Sequence, residues 1–159
     1  MKKVEEFNKI VEDILNNDKF NKLKEQPHHG INRYEHSYHV AIWIYKICKL
    51  FNSKNLKKIT RASLLHDFYE DIDLKGNGLQ RLARHSKAAL KNSEEYFKLD
   101  DMQKNIIKTH MFPCSLDIPK YKESWLITII DKIVSTYEMV RYKIPMYIGK
   151  GIKYIFKIK

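Results

Sequence analysis

The chain has 159 residues with 43% hydrophobic and 12% aromatic side chains, and 30 Lys and Arg against 19 Asp and Glu give a formal charge of +11. That apolar content excludes disorder, and only 5 Gly and 4 Pro exclude collagen-like and low-complexity classes and argue against a sandwich or barrel. At this length one domain buries about two-thirds of the unfolded chain's surface without disulfides or structural metals, so the expectation is a single all-α domain, a compact helical bundle, over residues 1–159.

Helical periodicity runs along nearly the whole chain. Val4, Phe7, Ile10, Val11, Ile14 and Leu15 fall at i, i+3 and i+4 spacing and put one apolar stripe on a first helix. Pro27-His28-His29-Gly30 breaks the pattern. A long helix is predicted from about Tyr34 to Phe51, with Val40, Trp43, Ile44, Ile47 and Leu50 toward a core and Asn52-Ser53 at its end. A third, from Leu56 to His66, carries Ile59, Ala62 and Leu65. It runs into Glu70-Asp71-Ile72-Asp73 and Gly76-Asn77-Gly78, a loop by its turn residues. Helical patterns resume over Leu79–Phe97, either continuous or broken near His85, and over Asp101–His110, with Asp100 or Asp101 as N-cap. Met111–Lys120, with two prolines, is a loop, and Glu123–Val140 is a further helix with Trp125, Ile129, Ile133, Val134 and Tyr137 on its apolar side. The last fifteen residues, with Pro145, Gly149 and Gly151, fit either a short helix or a strand-like extension.

The amino terminus, Met1-Lys2-Lys3 and then Glu5-Glu6, lacks the apolar run of a secretory signal, so a cytoplasmic location is expected. The greasiest run, Trp125–Ile130, falls far short of the ~20 residues of a membrane span. Cys48 and Cys114, with no Cys-x-x-Cys spacing, are expected to be reduced bystanders. From Arg141 to Lys159 there are six basic residues and no acid, for which a solvated surface is the plainer reading. A nucleic-acid partner is disfavoured without a binding fold, although a basic protein attracts phosphorylated ligands of any size.

The chemistry concentrates in His36, the adjacent pair His66-Asp67, His85, His110 and Asp131, each on a predicted helix or at its end. Imidazole and carboxylate are the ligands of zinc, iron, manganese and similar cations, and helical proteins build metal sites from inward-facing side chains on several helices. Neighbours on a helix diverge by ~100°, so near a helix end His66 can hold one cation while Asp67 leans across to a second. A bridging Asp with two sets of His is what a two-metal hydrolase needs. His36 shares a face with Val40 and Trp43, and Asp131 sits within Ile129-Ile130-Asp131-Lys132-Ile133, where a carboxylate is costly to bury without a cation or partner. His28 and His29 belong to the Pro/Gly loop and His39 either flanks the site or faces solvent. These three stay outside the expected ligand set.

In order and apolar context, Glu35-His36-Ser37-x-x-Val40-Ala41, Leu64-Leu65-His66-Asp67, a lone His in each of two later helices, and Ile130-Asp131-Lys132 resemble the HD-domain superfamily of metal-dependent phosphohydrolases. The match covers about residues 33–140, with 141–159 as a basic extension, and Thr109-His110-Met111-Phe112-Pro113 followed by Pro119-x-Tyr121-x-Glu123-Ser124 looks like its small bacterial members. The resemblance implies a helical bundle with the metal site between helices. His36, His66, Asp67 and Asp131 would hold one cation, and His85 and His110 match the extra histidines of the dinuclear branches, completing a second with Asp67 bridging. It implies divalent ions, two of them, of the Fe, Mn, Zn, Ni or Mg kind, and hydrolysis of a small phosphorylated molecule, a nucleotide above all, by metal-bound hydroxide. Asp67, Glu70 and Asp71 are the catalytic candidates, with Asp73 beside them, and Arg33 and Lys132 are the candidates for substrate phosphate.

Within that superfamily the signals diverge. The Gly-Tyr-Pro signature of the cyclic-dinucleotide phosphodiesterases is missing. His66-Asp67-x-x-Glu70-Asp71 is similar to alarmone (guanosine polyphosphate) hydrolases, but Lys132-Ile133-Val134-Ser135 stands where those place Arg and Asn. Glu70 also resembles that of 5′-nucleotidase members, and the two extra histidines favour the branch that cleaves dinucleoside polyphosphates. A non-catalytic nucleotide- or metal-binding sensor module is the alternative outside catalysis.

Overall fold

Phe7, Val11 and Ile14 form one fully buried stripe of α1 (Lys2–Leu15), as a 3.6-residue period requires of a helix with one face on a core. The computed structural model describes residues 2–74 and 76–147. After α1 come α2 (Asp18–Asn21) and a small antiparallel hairpin, β1 (Pro27–His28) and β2 (Ile31–Asn32). Then follow α3 (Arg33–Leu50), α4 (Leu56–Leu65), α5 (Gly78–Tyr96), α6 (Asp101–Thr109) and α7 (Lys122–Glu138), which passes into a π-helical turn over Met139–Lys143. The all-α class is as expected. The hairpin was not, because strands of two residues carry no alternation to recognise.

Helix starts follow local chemistry. Asn32, Asn77 and Asp100 accept hydrogen bonds from the backbone N–H groups of Glu35, Gln80 and Gln103 at 2.9, 3.1 and 2.9 Å. At the last two, the Gln side chain bonds back to the cap's own N–H, completing a capping box. Asn52, at φ 49°, ends α3 in the left-handed conformation that Asn tolerates, and α5 runs unbroken through His85.

α4 is the central element. Ile59, Thr60, Ala62, Ser63, Leu64 and Leu65 are all buried, and the helix packs against α1, α3, α5 and α6. A helix so enclosed must satisfy its own polar groups, and the Thr60 and Ser63 hydroxyls donate to the carbonyls of Leu56 and Ile59 at 2.8 Å. Its C-terminal end therefore emerges inside the molecule, carrying His66 and Asp67. α7 packs across α3 and α6, bringing Asp131 toward the same point.

Two helices turn a different face inward than their apolar residues suggested. On α3, Trp43 and Leu50 are more than half exposed, while Ala41, Tyr45 and Cys48 join Val40 and Ile44 in the core. On α7, Ile129, Ile133 and Tyr137 face solvent, and the buried face carries Ser124, Ile127, Thr128, Asp131, Val134 and Glu138. The cause is the polar centre that α7 borders: its polar residues must point inward, which leaves apolar ones outside, Ile133 and Tyr137 among them along a groove of about 600 Å³ shared with Trp43. Among the described residues, no helix is long and apolar enough to cross a membrane. Most of the basic extension, residues 148–159, lies outside the described residues, as do most of the last fifteen.

Candidate metal centre

Five segments converge on one buried point. α3 supplies His36, the end of α4 His66 and Asp67, α5 His85, the end of α6 His110 and α7 Asp131, none of them more than 6% exposed. In one half of the cluster, Asp131 Oδ1 lies 3.1 Å from His36 Nε2 and 3.4 Å from His66 Nε2. In the other, Asp67 Oδ1 lies 3.4 Å from His85 Nε2 and 3.3 Å from His110 Nε2, and the two Nε2 atoms are 3.0 Å apart. With bonds of about 2.1 Å, neighbouring ligand atoms around one cation stand roughly 3.0 Å apart in an octahedron and roughly 3.4 Å in a tetrahedron. Both halves have that spacing.

The hydrogen bonds behind the rings decide which nitrogen faces the centre. His66 Nδ1 donates to the Ser63 carbonyl and His110 Nδ1 to the Ile107 carbonyl, each at 2.7 Å. A carbonyl only accepts, so the proton sits on Nδ1 and the Nε2 lone pair points inward. His66 Nε2 and Asp67 Oδ1 are buried without any hydrogen-bond partner. Buried acceptors are rarely left so, and lone pairs that face one another need positive charge between them. The donor set fits a divalent cation on that observation.

Without metal, protons partly fill the role. Burial opposes a charge on His36, but its bonds to Asp131 and Glu138 prevail and raise its pKa to about 10. Burial also works against ionised Asp67 and Asp131, yet the surrounding imidazoles, His66 foremost for Asp67 and His36 for Asp131, hold both well below the usual carboxylate range. His85 falls to about 4, chiefly through burial, with His110 adding to it against the pull of Asp67. At neutral pH it is therefore the uncharged imidazole that a metal requires.

Three residues outside the expected set belong to this centre. Glu138, fully buried, accepts from His36 Nδ1 and from His39 Nδ1 at 2.7 Å each. Burial would raise its pKa, and the two imidazoles keep it low instead. Its signal was present in the sequence, since Glu138 lies seven residues after Asp131 and so on the same helix face. His39 does both things expected of it, touching Glu138 while remaining 43% exposed. His28, left out of the expected ligand set, lies close to it: the hairpin brings its Nε2 to 3.6 Å from Asp67 Oδ2. Burial depresses the pKa of His28 strongly and of its neighbour His29 more mildly.

A cavity of about 660 Å³ opens over the cluster. Asp67, His85, His110 and Asp131 line it together with Arg81, Lys132 and Lys143. Lys132 Nζ donates to the carbonyls of His110 and Thr128 at 2.9 and 3.3 Å, so it also ties α7 to the end of α6. Arg33 is buried beneath the neighbouring loop: it donates to the Tyr69 carbonyl at 2.9 Å and to Asp71 Oδ1 at 3.1 Å, and its guanidinium stacks 3.8 Å from the Tyr69 ring. Tyr69 in turn stacks on His85. Asp71 borders the cavity, whereas Glu70 pairs with Lys19, and Asp73 accepts from Asn92 and from the Glu70 N–H.

The family model of the HD domain matches residues 33–135, nearly two-thirds of the chain. The protein belongs to the HD domain family, whose members are generally metal-dependent hydrolases of the phosphohydrolase superfamily. No curated protein and no solved structure matches the chain.

Proposed function

We propose that this protein is a metal-dependent phosphohydrolase that cleaves a phosphoester or phosphoanhydride of a small molecule, a nucleotide for preference. The observation that carries the reading is the division of one buried carboxylate, with Asp67 Oδ1 toward His85 and His110 and Asp67 Oδ2 toward His66 and His28. His36, His66, Asp67 and Asp131 would hold one cation, and Asp67, His85 and His110 a second. Bound there, the pair would supply the positive charge that acidifies water and offsets charge building on a phosphoryl group.

The remaining tasks belong to the chain. Arg81, Lys132 and Lys143 give the cavity three cationic side chains for substrate phosphates, Arg as a fork and Lys as point charges. Asp71, fixed by Arg33 beside Tyr69, is the carboxylate placed to orient the water or take its proton, and Glu70 is engaged elsewhere by Lys19. The cavity is within the ~300–1,000 Å³ of small-molecule pockets and large enough for a nucleotide.

Metal analysis of the purified protein, followed by a screen of nucleotides and generic phosphodiesters with several added cations, tests the proposal. Two bound ions and turnover of a phosphorylated compound are expected. His85→Ala and His110→Ala should each fold, keep one ion and lose most activity. Nucleotide binding with metal and no turnover would make the protein a sensor, and one ion in the wild type, unchanged in both variants, would return the two histidines to structural roles.

A further inference from the structure

The hairpin brings two imidazoles to the cluster, His28 and, at its tip, His29, of which His28 is the one beside Asp67, and the hairpin is held on both sides. Its base is closed by Arg33 N–H donating to the Gln26 carbonyl at 2.9 Å, and the Gln26 side chain accepts from Asp71 N–H at 3.1 Å, which ties it to the loop after Asp67. At its tip, His29 takes φ 45° and Gly30 φ 93°, and a Cβ on Gly30 would come within 2.7 Å of the Lys143 backbone nitrogen. The glycine lets the turn seat against the π-helical turn that follows α7.

So positioned, His28 Nε2 stands 3.6 Å from Asp67 Oδ2, and the rings of His28 and His36 are 4.6 Å apart. That separation is too long for a hydrogen bond, but it is close to the spacing of neighbouring ligands around a cation. One ligand atom each from His28, His36 and Asp67 lies within 4.8 Å of the other two.

We propose that His28 is a fifth protein ligand of the cation held by His36, His66, Asp67 and Asp131, reaching it from the Asp67 Oδ2 side. The inference rests on the metal-centre reading above. Three imidazoles and two carboxylates exceed what a tetrahedral ion takes and leave one position open on a six-coordinate one. The centre therefore selects ions of the manganese or ferrous kind over zinc at this position.

The test uses the full chain and Mn²⁺ alone, with affinity measured by competition against a chelator. His28→Phe keeps a ring and removes the donor nitrogen, and the Kd of the tighter Mn²⁺ site should rise roughly tenfold or more. His28→Asp restores an oxygen donor and should stay within about threefold of wild type by the same reasoning. Melting of both variants without metal should match the wild type. If His28→Phe does not fold, His28→Ala takes its place. Wild-type affinity in the donor-less variant, or equal losses in both variants, would overturn the assignment. A wild type that binds no Mn²⁺ and no other divalent ion would overturn the metal-centre reading and this inference with it, whereas a metal-replete, active wild type indifferent to His28 removes only the inference.

Discussion

At Glu138 one carboxylate answers two imidazoles, and the consequence falls on His36. With its Nδ1 proton committed to Glu138, His36 has one tautomer and one ring orientation, and its Nε2 can face nothing but the centre. Partners of this kind behind a metal-binding histidine typically contribute 10–100-fold to metal affinity. Glu138→Gln keeps the size but offers one acceptor where two N–H groups need one each. Mn²⁺ affinity should fall by about that factor with the fold retained, as chelator competition alongside circular dichroism would record. His39→Ala removes only the partly exposed arm of the pair and should cost less. An affinity loss in Glu138→Gln no larger than in His39→Ala would detach the carboxylate from the centre.

Helix ends and helix faces differ in how openly the sequence displays them. The caps at Asn77 and Asp100 both depend on residues three positions apart; Asp100 is legible in the chain as a cap, whereas Asn77, between two glycines, reads only as loop. Asp100 carries a second interaction, a 2.8 Å pair with Lys58, which outweighs partial burial and lowers its pKa. A depressed carboxylate stabilises above its unfolded pKa and ceases to as the pH falls through its folded one. Asp100→Asn, which still caps, should therefore melt slightly below the wild type at pH 7, and the difference should vanish in acid. Asp100→Ala should lose about 1 kcal/mol of stability through the missing cap, measurable by urea denaturation. Faces were harder. Apolar periodicity finds a core face only where the core is apolar, and α7 borders a buried polar cluster, so Ile129, Ile133 and Tyr137 mark its outside. The six candidates that the fold brings together were legible because an acid or histidine inside an apolar run is costly unless something compensates it. His28 was not, since a Pro/Gly turn reveals nothing about what it folds against, and Glu138 was passed over near the end of its helix although its spacing from Asp131 pointed inward.

Across the whole molecule, the charge of +11 meets the chemistry at the cavity, where the basic extension first touches it through Lys143. Truncation after Tyr147 should leave turnover intact. Truncation after Tyr142 should keep the metals yet raise KM for a phosphorylated substrate roughly tenfold, at the lower end of what loss of one charge-assisted contact costs. Steady-state kinetics on the two proteins separate these outcomes, and equal kcat and KM in both would leave Lys143 without a role. The pairing of His36 with Asp131 joins residues 95 positions apart. An ion shared by them would bind the folded chain and not the unfolded one, so by mass action it would stabilise the fold by about 4 kcal/mol at a free concentration roughly a thousand times its Kd. Chelation should accordingly lower the melting temperature by roughly 10 °C, a shift that scanning calorimetry should find reduced in Asp131→Ala, where the ion of Asp67, His85 and His110 would remain. The ion that serves the chemistry would then also be the staple that closes the chain, tying metal supply to the lifetime of the fold.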